Sequence, residues 1–184
     1  MEFVKTDIAG VFIVKPRVFE DSRGYFFESF SERDFAAAGI DIHFVQENES
    51  KSRRGVVRGL HFQKAPFAQA KLVSCAKGKV VDVCVDIRPD SPSFGKHICV
   101  ELTPENHLSL FIPKGCAHGF AVLSDEAVFR YKCDEFYHPE SEGSIAWNDP
   151  DLAVTWPVAA SEAIISEKDA RAASFKEYLK TIGR

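Results

Sequence analysis

Short segments in which apolar and polar residues alternate make up most of the chain, a pattern typical of strands with one covered face. From position 81 to 87 every odd-numbered residue is Val or Ile, and the residues between them are Asp or Cys. The segment Lys96 to Leu102 repeats this alternation. Eight further strands are predicted, at 11–15, 25–29, 44–49, 56–62, 71–76, 108–112, 118–123 and 127–133. Many short strands separated by turn residues predict an all-β fold, a jelly-roll barrel, in preference to a parallel sheet with crossover helices.

Two short peripheral helices are predicted beside the barrel. Ser31 and Asp34 resemble a capping box, and Gly39 is expected to end the first helix. Near the C-terminus, Ser166 is expected to cap one helix that continues to Leu179. Because no repeat, low-complexity tract or linker divides the sequence, a single domain over residues 1–184 is expected.

Composition and charge argue against several classes of protein, among them nucleic-acid-binding and membrane proteins. The chain has 184 residues, 45% of them apolar, and its net charge of -4 argues against a broad nucleic-acid surface. No apolar run approaches the roughly 20 residues of a membrane span, and the first residues do not resemble a signal peptide. The five cysteines are spread singly, which suits a reducing compartment. We therefore expect a soluble cytoplasmic protein with no nucleic-acid or membrane partner.

Several ionisable residues occupy strand positions that should be enclosed by the barrel. They are Arg58, His61, Lys71, Asp82, Asp86, His118, Arg130, Tyr131 and Lys132. Each alone has an ordinary explanation, such as a hydrogen-bonded structural histidine or a packed tyrosine. Buried charges are costly unless they are paired, so their accumulation indicates a polar cavity that binds a ligand.

A small barrel with histidines raises the possibility of a metal site. Metal-binding barrels of this size usually carry two histidines one residue apart on a strand, but here Arg58 precedes His61 with no second histidine. His118 could be another ligand, yet no carboxylate is placed to complete a set of two histidines and one carboxylate. The sequence predicts no metal.

Seven blocks of sequence, in order, resemble the dTDP-4-dehydrorhamnose 3,5-epimerases. They lie at 22–28, 46–48, 55–63, 112–120, 131–137, 142–143 and 145–150. Ordered agreement over nearly the whole chain is far more specific than any one short motif. The resemblance implies a homodimeric, cupin-type jelly roll without a cofactor. It also implies conversion of dTDP-4-keto-6-deoxy-D-glucose to dTDP-4-keto-L-rhamnose, a step of dTDP-L-rhamnose biosynthesis.

The same resemblance implies a role for individual residues. His61 would be the general base and Asp169 the partner that orients it, while Tyr131 would be the general acid on the opposite face of the sugar. Lys71 would stabilise the enolate oxygen, and Asp82 would support His118. Substrate contacts are implied for Arg23, Phe26, Glu28, Gln46, Asn48, Arg58, His118, Tyr137, Glu142 and Lys168, with the Tyr137 ring stacked on thymine.

The implied chemistry fits these residue types. C3 and C5 are both alpha to the 4-keto group, so one histidine can remove a proton from each carbon. The resulting enolate needs a positive group such as Lys71, and inversion needs a proton donor on the other face of the ring. Guanidinium groups such as those of Arg23 and Arg58 match the oxygens of a diphosphate.

Three alternatives stay open at this point. A relative of the same fold could epimerise only C3 or only C5, or use another 4-keto-deoxysugar nucleotide. A metal-dependent cupin oxygenase is an alternative from another class. A non-catalytic sugar-binding cupin is the third, although the presence together of His61, Tyr131 and Asp169 argues against it.

Overall fold

The computed structural model describes all residues from 1 to 184 and consists mainly of strands. The thirteen strands are β1 Glu2–Lys5, β2 Phe12–Lys15, β3 Phe19–Asp21, β4 Gly24–Phe26, β5 Gln46–Arg53, β6 Val57–Gln63, β7 Lys71–Lys77, β8 Val80–Asp86, β9 His97–Leu102, β10 Ser109–Ile112, β11 Cys116–Val122, β12 Glu126–Cys133 and β13 Glu142–Ser144. The three α-helices are α1 Glu32–Ala37, α2 Glu167–Ala170 and α3 Phe175–Thr181. A single 3-10 turn spans Pro139–Ser141.

Eleven of the strands form two antiparallel sheets that face each other. One sheet has six strands in the order β1-β2-β10-β7-β12-β5, and the other has five in the order β13-β6-β11-β8-β9. Neighbours in each sheet are often distant in sequence, as in a jelly roll. The remaining strands, β3 and β4, pair only with each other. The prediction of an all-β, cupin-type jelly roll with a few short helices is confirmed.

The main apolar core lies between the two sheets. Val73, Leu110 and Phe129 of the six-stranded sheet belong to the same cluster as Leu102 and Phe120 of the five-stranded sheet, and all are at most 5% exposed. At about 25 cal/mol per Å² of buried apolar area, this contact is the main source of stability for the barrel. A second cluster covers the outer face of the five-stranded sheet, where the C-terminal segment packs.

The first helix forms as the sequence predicts. Ser31 is its N-cap, and the Ser31 Oγ accepts a hydrogen bond from the Asp34 backbone N–H at 3.4 Å. Gly39 follows the helix with a φ of +80°, in the left-handed region that glycine adopts most easily. Of the predicted strands, the one at 25–29 is shorter, and β1, β3 and β13 were not predicted.

The prediction of one continuous C-terminal helix from Ser166 to Leu179 is wrong. Helix α2 ends at Ala170, and Ser174 caps a separate helix, α3, through a full capping box with Glu177. The link between the helices is extended, because Ala173 forms a parallel bridge with Ile145. This break lets α2 lie against the barrel while α3 packs elsewhere on it.

Candidate active site

A polar cavity of about 370 Å³ opens between the two sheets and continues inward as a second cavity of about 230 Å³. His61, Lys71 and Tyr131 line both cavities, so the two form one site. The outer part is also lined by Gln46, Asn48, Phe62, Gln63, Gln69, Tyr137 and Glu142, and the inner part by Ser50, Arg58, His118, Gly119, Phe120 and Phe129. The site thus brings together most of the residues that the sequence singled out.

His61 is a partly accessible ionisable group whose ring is oriented by a hydrogen bond within this site. Its Nε2 lies 2.5 Å from Oδ1 of Asp169, and the exposed fractions of the two side chains are 30% and 4%. Burial alone would raise the pKa of Asp169, but the hydrogen bond and charge of His61 outweigh it and hold that pKa below its usual value. A charged carboxylate behind one ring nitrogen fixes the tautomer and leaves the other nitrogen free to take a proton.

Asp169 reaches His61 because α2 is anchored on both sides. Before the helix, the Ile164 N–H donates a hydrogen bond to the Gly55 carbonyl, and the Val57 N–H at the start of β6 donates one to the Ile164 carbonyl. After it, the Ala173 carbonyl accepts a hydrogen bond from the Ala146 N–H at 2.8 Å. Ser166 caps the helix by accepting the Asp169 N–H at 3.1 Å. The aspartate is therefore held by backbone contacts rather than by packing of a long helix.

A second histidine–carboxylate pair lies next to the first. His118 on β11 is opposite His61 on β6, and its Nε2 lies 2.7 Å from Oδ2 of Asp82. Both residues of this pair are buried. Burial raises the pKa of Asp82, although the charges of His118 and Lys71 pull it down. The geometry agrees with the implied support of His118 by Asp82.

Two glycines allow the strands that carry these histidines to approach closely. A Cβ atom on Gly59 would lie 2.6 Å from the Gly119 Cα, and a Cβ on Gly119 would lie 2.5 Å from the Arg58 carbonyl oxygen. The strand register also shifts between His118 and Phe120, where Gly119 forms a bulge. Any larger side chain at either position would push β6 and β11 apart directly beside the two histidines.

Lys71 and Tyr131 stand on the wall opposite His61. Both belong to the six-stranded sheet, and the Lys71 Nζ lies 5.6 Å from the centre of the Tyr131 ring. Burial lowers the pKa of Lys71, and nearby acidic groups offset this only in part. Burial raises the pKa of Tyr131, so the phenol keeps its proton at neutral pH. The cavity therefore has an imidazole on one wall and a protonated phenol on the other.

The mouth of the cavity is closed on one side by a network around Glu142. This carboxylate pairs with Lys168 of α2 and accepts a hydrogen bond from the Tyr137 hydroxyl at 3.0 Å. Burial would raise the pKa of Glu142, but the bonds from Lys168 and Tyr137 lower it overall. The Tyr137 backbone N–H donates to the Gln46 side chain at 3.1 Å. Tyr137 is 52% exposed and presents its ring to solvent at this rim.

Three of the predicted substrate-contacting residues lie away from the cavity. Arg23 and Phe26 belong to the hairpin of β3 and β4, which lines a separate cavity, and Glu28 is an exposed residue just after it. Arg23 hydrogen-bonds Asp21, its neighbour in the hairpin, and its side chain is 88% exposed. Phe26 is 66% exposed. Within one chain, these residues do not join His61 and Tyr131.

Sequence reasoning identified Gln46 and Asn48 on the polar face of β5 but missed Ser50 and Ser52 on the same face and Gln63 beside the site. Ser52 accepts a hydrogen bond from Arg58 Nε at 3.0 Å, and Ser50 lines the inner cavity. Gln63 donates to the Phe67 carbonyl and accepts from the His138 N–H, both at 2.7 Å, and so holds the segment that carries Tyr137. Alternation in burial along β5 is the signal that identifies the serines, since residues 46, 48, 50 and 52 are each less exposed than their neighbours.

Three further properties of the chain concern the predictions about metals, membranes and cysteines. No group of three or more His, Cys, Asp or Glu side chains is arranged to hold a metal ion, and the metal-free interpretation stays a prediction. No helix has the length and apolar character needed to cross a membrane. All five cysteines are free, and four of them are buried.

The chain is similar in sequence to known proteins of one family. A family model described as dTDP-4-dehydrorhamnose 3,5-epimerase matches residues 5–177. A relative of that name from Escherichia coli (strain K12) is 50% identical over 181 residues, which cover 98% of this chain and 97% of the relative.

Solved structures agree with this match. A dTDP-6-deoxy-D-glucose-3,5-epimerase from Legionella pneumophila Philadelphia 1, in complex with dTDP-4-keto-L-rhamnose, has a TM-score of 0.91 and 46% identity over 95% of this chain and 93% of that chain. A 3'-monoepimerase from Streptomyces bikiniensis, in complex with dTDP-quinovose, has a TM-score of 0.88 and 32% identity over 97% of this chain and 89% of that chain. The chain belongs to the dTDP-4-dehydrorhamnose 3,5-epimerase family.

Proposed function

We propose that this enzyme inverts both C3 and C5 of dTDP-4-keto-6-deoxy-D-glucose and produces dTDP-4-keto-L-rhamnose. The observation that carries the proposal is that His61 and Tyr131 stand on opposite walls of one cavity, on different sheets. Inversion at carbon requires a proton to leave from one face and another to arrive at the opposite face. A base and an acid on facing walls meet this requirement without any movement of the protein.

Proton abstraction is the first step at each carbon. The free nitrogen of His61 takes the proton from C3 or C5, and the electron pair of the broken C–H bond moves into the ring to make an enolate with its charge on O4. Asp169, bonded to the other nitrogen, stabilises the imidazolium that forms. The Lys71 ammonium, on the opposite wall, stabilises the negative O4.

Protonation from the other face completes the inversion. The Tyr131 hydroxyl donates its proton to the same carbon, and the C=O bond at C4 is restored. Burial raises the pKa of Tyr131, so the donor is in its protonated form when the enolate appears. Exchange of protons with solvent returns His61 and Tyr131 to their starting states, and the cycle repeats at the second carbon.

The nucleotide lies towards the mouth of the cavity, and its diphosphate reaches the inner part. Arg58, which is oriented by Ser52 and lines the inner cavity, offers a guanidinium to the diphosphate, and Lys168 adds a second positive group beside Glu142 at the mouth. The exposed Tyr137 ring at the rim is suited to stack on thymine. Gln46 and Asn48 line the outer cavity together with Tyr137 and the reacting groups, where they can contact the nucleotide.

The enzyme acts as a homodimer in which the β3–β4 hairpin of one chain completes the site of its partner. Phe19, Tyr25 and Phe26 of this hairpin are 50%, 58% and 66% exposed, a cluster that monomeric proteins rarely leave uncovered. The hairpin pairs with no other strand. A partner's cavity would receive Arg23 as a further cation for the diphosphate and Phe26 as a further aromatic wall. The free cysteines are consistent with a cytoplasmic enzyme.

Deuterium incorporation tests the proposed reaction. Incubation with dTDP-4-keto-6-deoxy-D-glucose in deuterated water is expected to label both C3 and C5 and to give the L-rhamno product. Label and inversion at C3 alone would instead assign the activity of a 3'-monoepimerase, like that of the structural relative. Absence of label at either carbon would overturn the proposal.

A further inference from the structure

We propose that the hydroxyl of Ser50 hydrogen-bonds a hydroxyl group of the hexose ring and helps to select the sugar. This inference rests on the proposed function, because it places the hexose in the inner cavity. Ser50 lies in β5, two residues beyond Asn48 and two before Ser52, on the same inward face of the strand. It lines the inner cavity together with His61, Lys71 and Tyr131.

The Ser50 hydroxyl has no partner within the protein. Its Oγ is buried and makes no hydrogen bond, whereas the Oγ of Ser52, on the same face, is engaged by Arg58. A buried hydroxyl without a partner is destabilising, and native proteins retain few of them. The unpaired Ser50 hydroxyl lines a substrate cavity, and a substrate that supplies the missing hydrogen-bond partner explains why it is there.

The position of Ser50 identifies which part of the substrate it meets. His61, Lys71 and Tyr131, the groups that act on the sugar in the proposed mechanism, line both cavities and so stand where the two meet, whereas Tyr137 and Glu142 line only the outer one. Ser50 lines only the inner cavity, so it is placed for the hexose and not for thymine or deoxyribose. A hydroxyl can both donate and accept, which matches the hydroxyl groups of a sugar ring.

Binding of two ligands to Ser50→Ala tests this assignment. The ligands are dTDP, which lacks the sugar, and dTDP-glucose, which has ring hydroxyls but no 4-keto group and so does not react. Loss of one neutral hydrogen bond is expected to weaken dTDP-glucose binding by about five- to tenfold. The affinity for dTDP is expected to change by less than about twofold, because no contact to the nucleotide is removed. Titration calorimetry measures both constants.

The melting temperature separates this role from a structural one. If Ser50 serves only the ligand, the ligand-free Ser50→Ala variant will melt at the same temperature as the wild type or higher, since an unpaired buried hydroxyl has been removed. A lower melting temperature, or equal losses of affinity for the two ligands, would assign Ser50 to the fold and overturn the inference. Ser74→Ala is the matched control, because Ser74 lies in the same sheet and lines a different cavity on it.

Failure of this inference can be distinguished from failure of the proposed function. If wild-type enzyme labels its substrate in deuterated water but Ser50→Ala binds dTDP-glucose as tightly as the wild type, only the Ser50 inference fails. If wild-type enzyme neither labels the keto sugar nor binds dTDP-glucose, the proposed function itself fails.

Discussion

Asp169 Oδ1 lies 2.5 Å from the Nε2 of His61, although 108 residues separate the two in the chain. In the proposed mechanism, Asp169 acts by holding the imidazole in one tautomer and one orientation. Asp169→Asn is therefore expected to lower kcat by about 10²-fold or more and to leave KM nearly unchanged. Steady-state kinetics on the 4-keto sugar measures both parameters.

The control for this variant is Glu167→Gln in the same helix. Glu167 loses a charge of the same sign, but its side chain is 91% exposed and pairs with Arg171 at the surface. The activity of Glu167→Gln is expected to stay within about twofold of wild type, because an exposed pair of this kind contributes little.

His61→Ala should abolish exchange at both carbons. Normal exchange in that variant would show that another group is the base.

Tyr131→Phe is expected to separate proton abstraction from inversion. The variant keeps His61, Asp169 and Lys71, so substrate protons should still exchange with deuterated water. Without the phenolic proton on the opposite wall, formation of the inverted product should fall by about 10²- to 10⁴-fold, the usual contribution of a general acid. Mass spectrometry of the recovered substrate and product measures both rates. Equal loss of exchange and inversion would contradict the assignment of Tyr131 as the acid.

Lys71 is expected to set the alkaline limit of the exchange reaction. Burial lowers its pKa, and only the protonated ammonium stabilises the enolate, so activity should fall as the pH rises through that lowered value. The pKa of Tyr131 is shifted in the other direction. In Lys71→Arg the alkaline limit should move up by about one pH unit or more, because arginine stays charged throughout. A profile of kcat against pH for the two proteins checks this, and an unmoved limit would assign it to another group.

Mixed dimers provide a direct test of the exchanged hairpin. His61→Ala and Arg23→Ala are each expected to be inactive or strongly impaired alone. If the hairpin of one chain enters the partner's site, a dimer with one chain of each kind contains one intact site. Each mixed dimer formed by re-association of the two variants should then have up to about half of the activity of a wild-type dimer. No recovery, in dimers that size-exclusion chromatography and mass spectrometry show to be mixed, would place Arg23 in the site of its own chain.

The barrel was predictable because most of its strands carry an apolar stripe. In β8, Val81, Val83 and Val85 share one face, and a period of two is enough to identify the strand and its covered side. Strand β5 was predicted only in part, as far as Glu49. Its inward face consists of Gln46, Asn48 and two serines, so hydrophobic periodicity carries no signal there. A strand whose inward face is polar because it lines a cavity cannot be identified by hydrophobic periodicity.

The site was predictable only in separate pieces. Local patterns identify Arg58 and His61 as polar residues on a strand, but no pattern within the sequence relates His61 to Asp169, and only the family resemblance linked them. The break between α2 and α3 was present in the sequence as the capping box of Ser174 and Glu177. The proposed place of Arg23 depends on a second chain, and the sequence of one chain carries no pattern that relates Arg23 to His61.

The small helix α2 is synthesised after every strand of the barrel. All strands of both sheets end at or before Ser144, and Asp169 follows them in the chain. Since a chain emerges from the ribosome N-terminal end first, the barrel can close before Asp169, the partner of His61, exists. The contact between Asp169 and His61 therefore forms only after the walls of the cavity have been synthesised. A protease cut between Trp156 and Ser166 would likewise leave the cavity walls in place and disconnect the helix that orients the base.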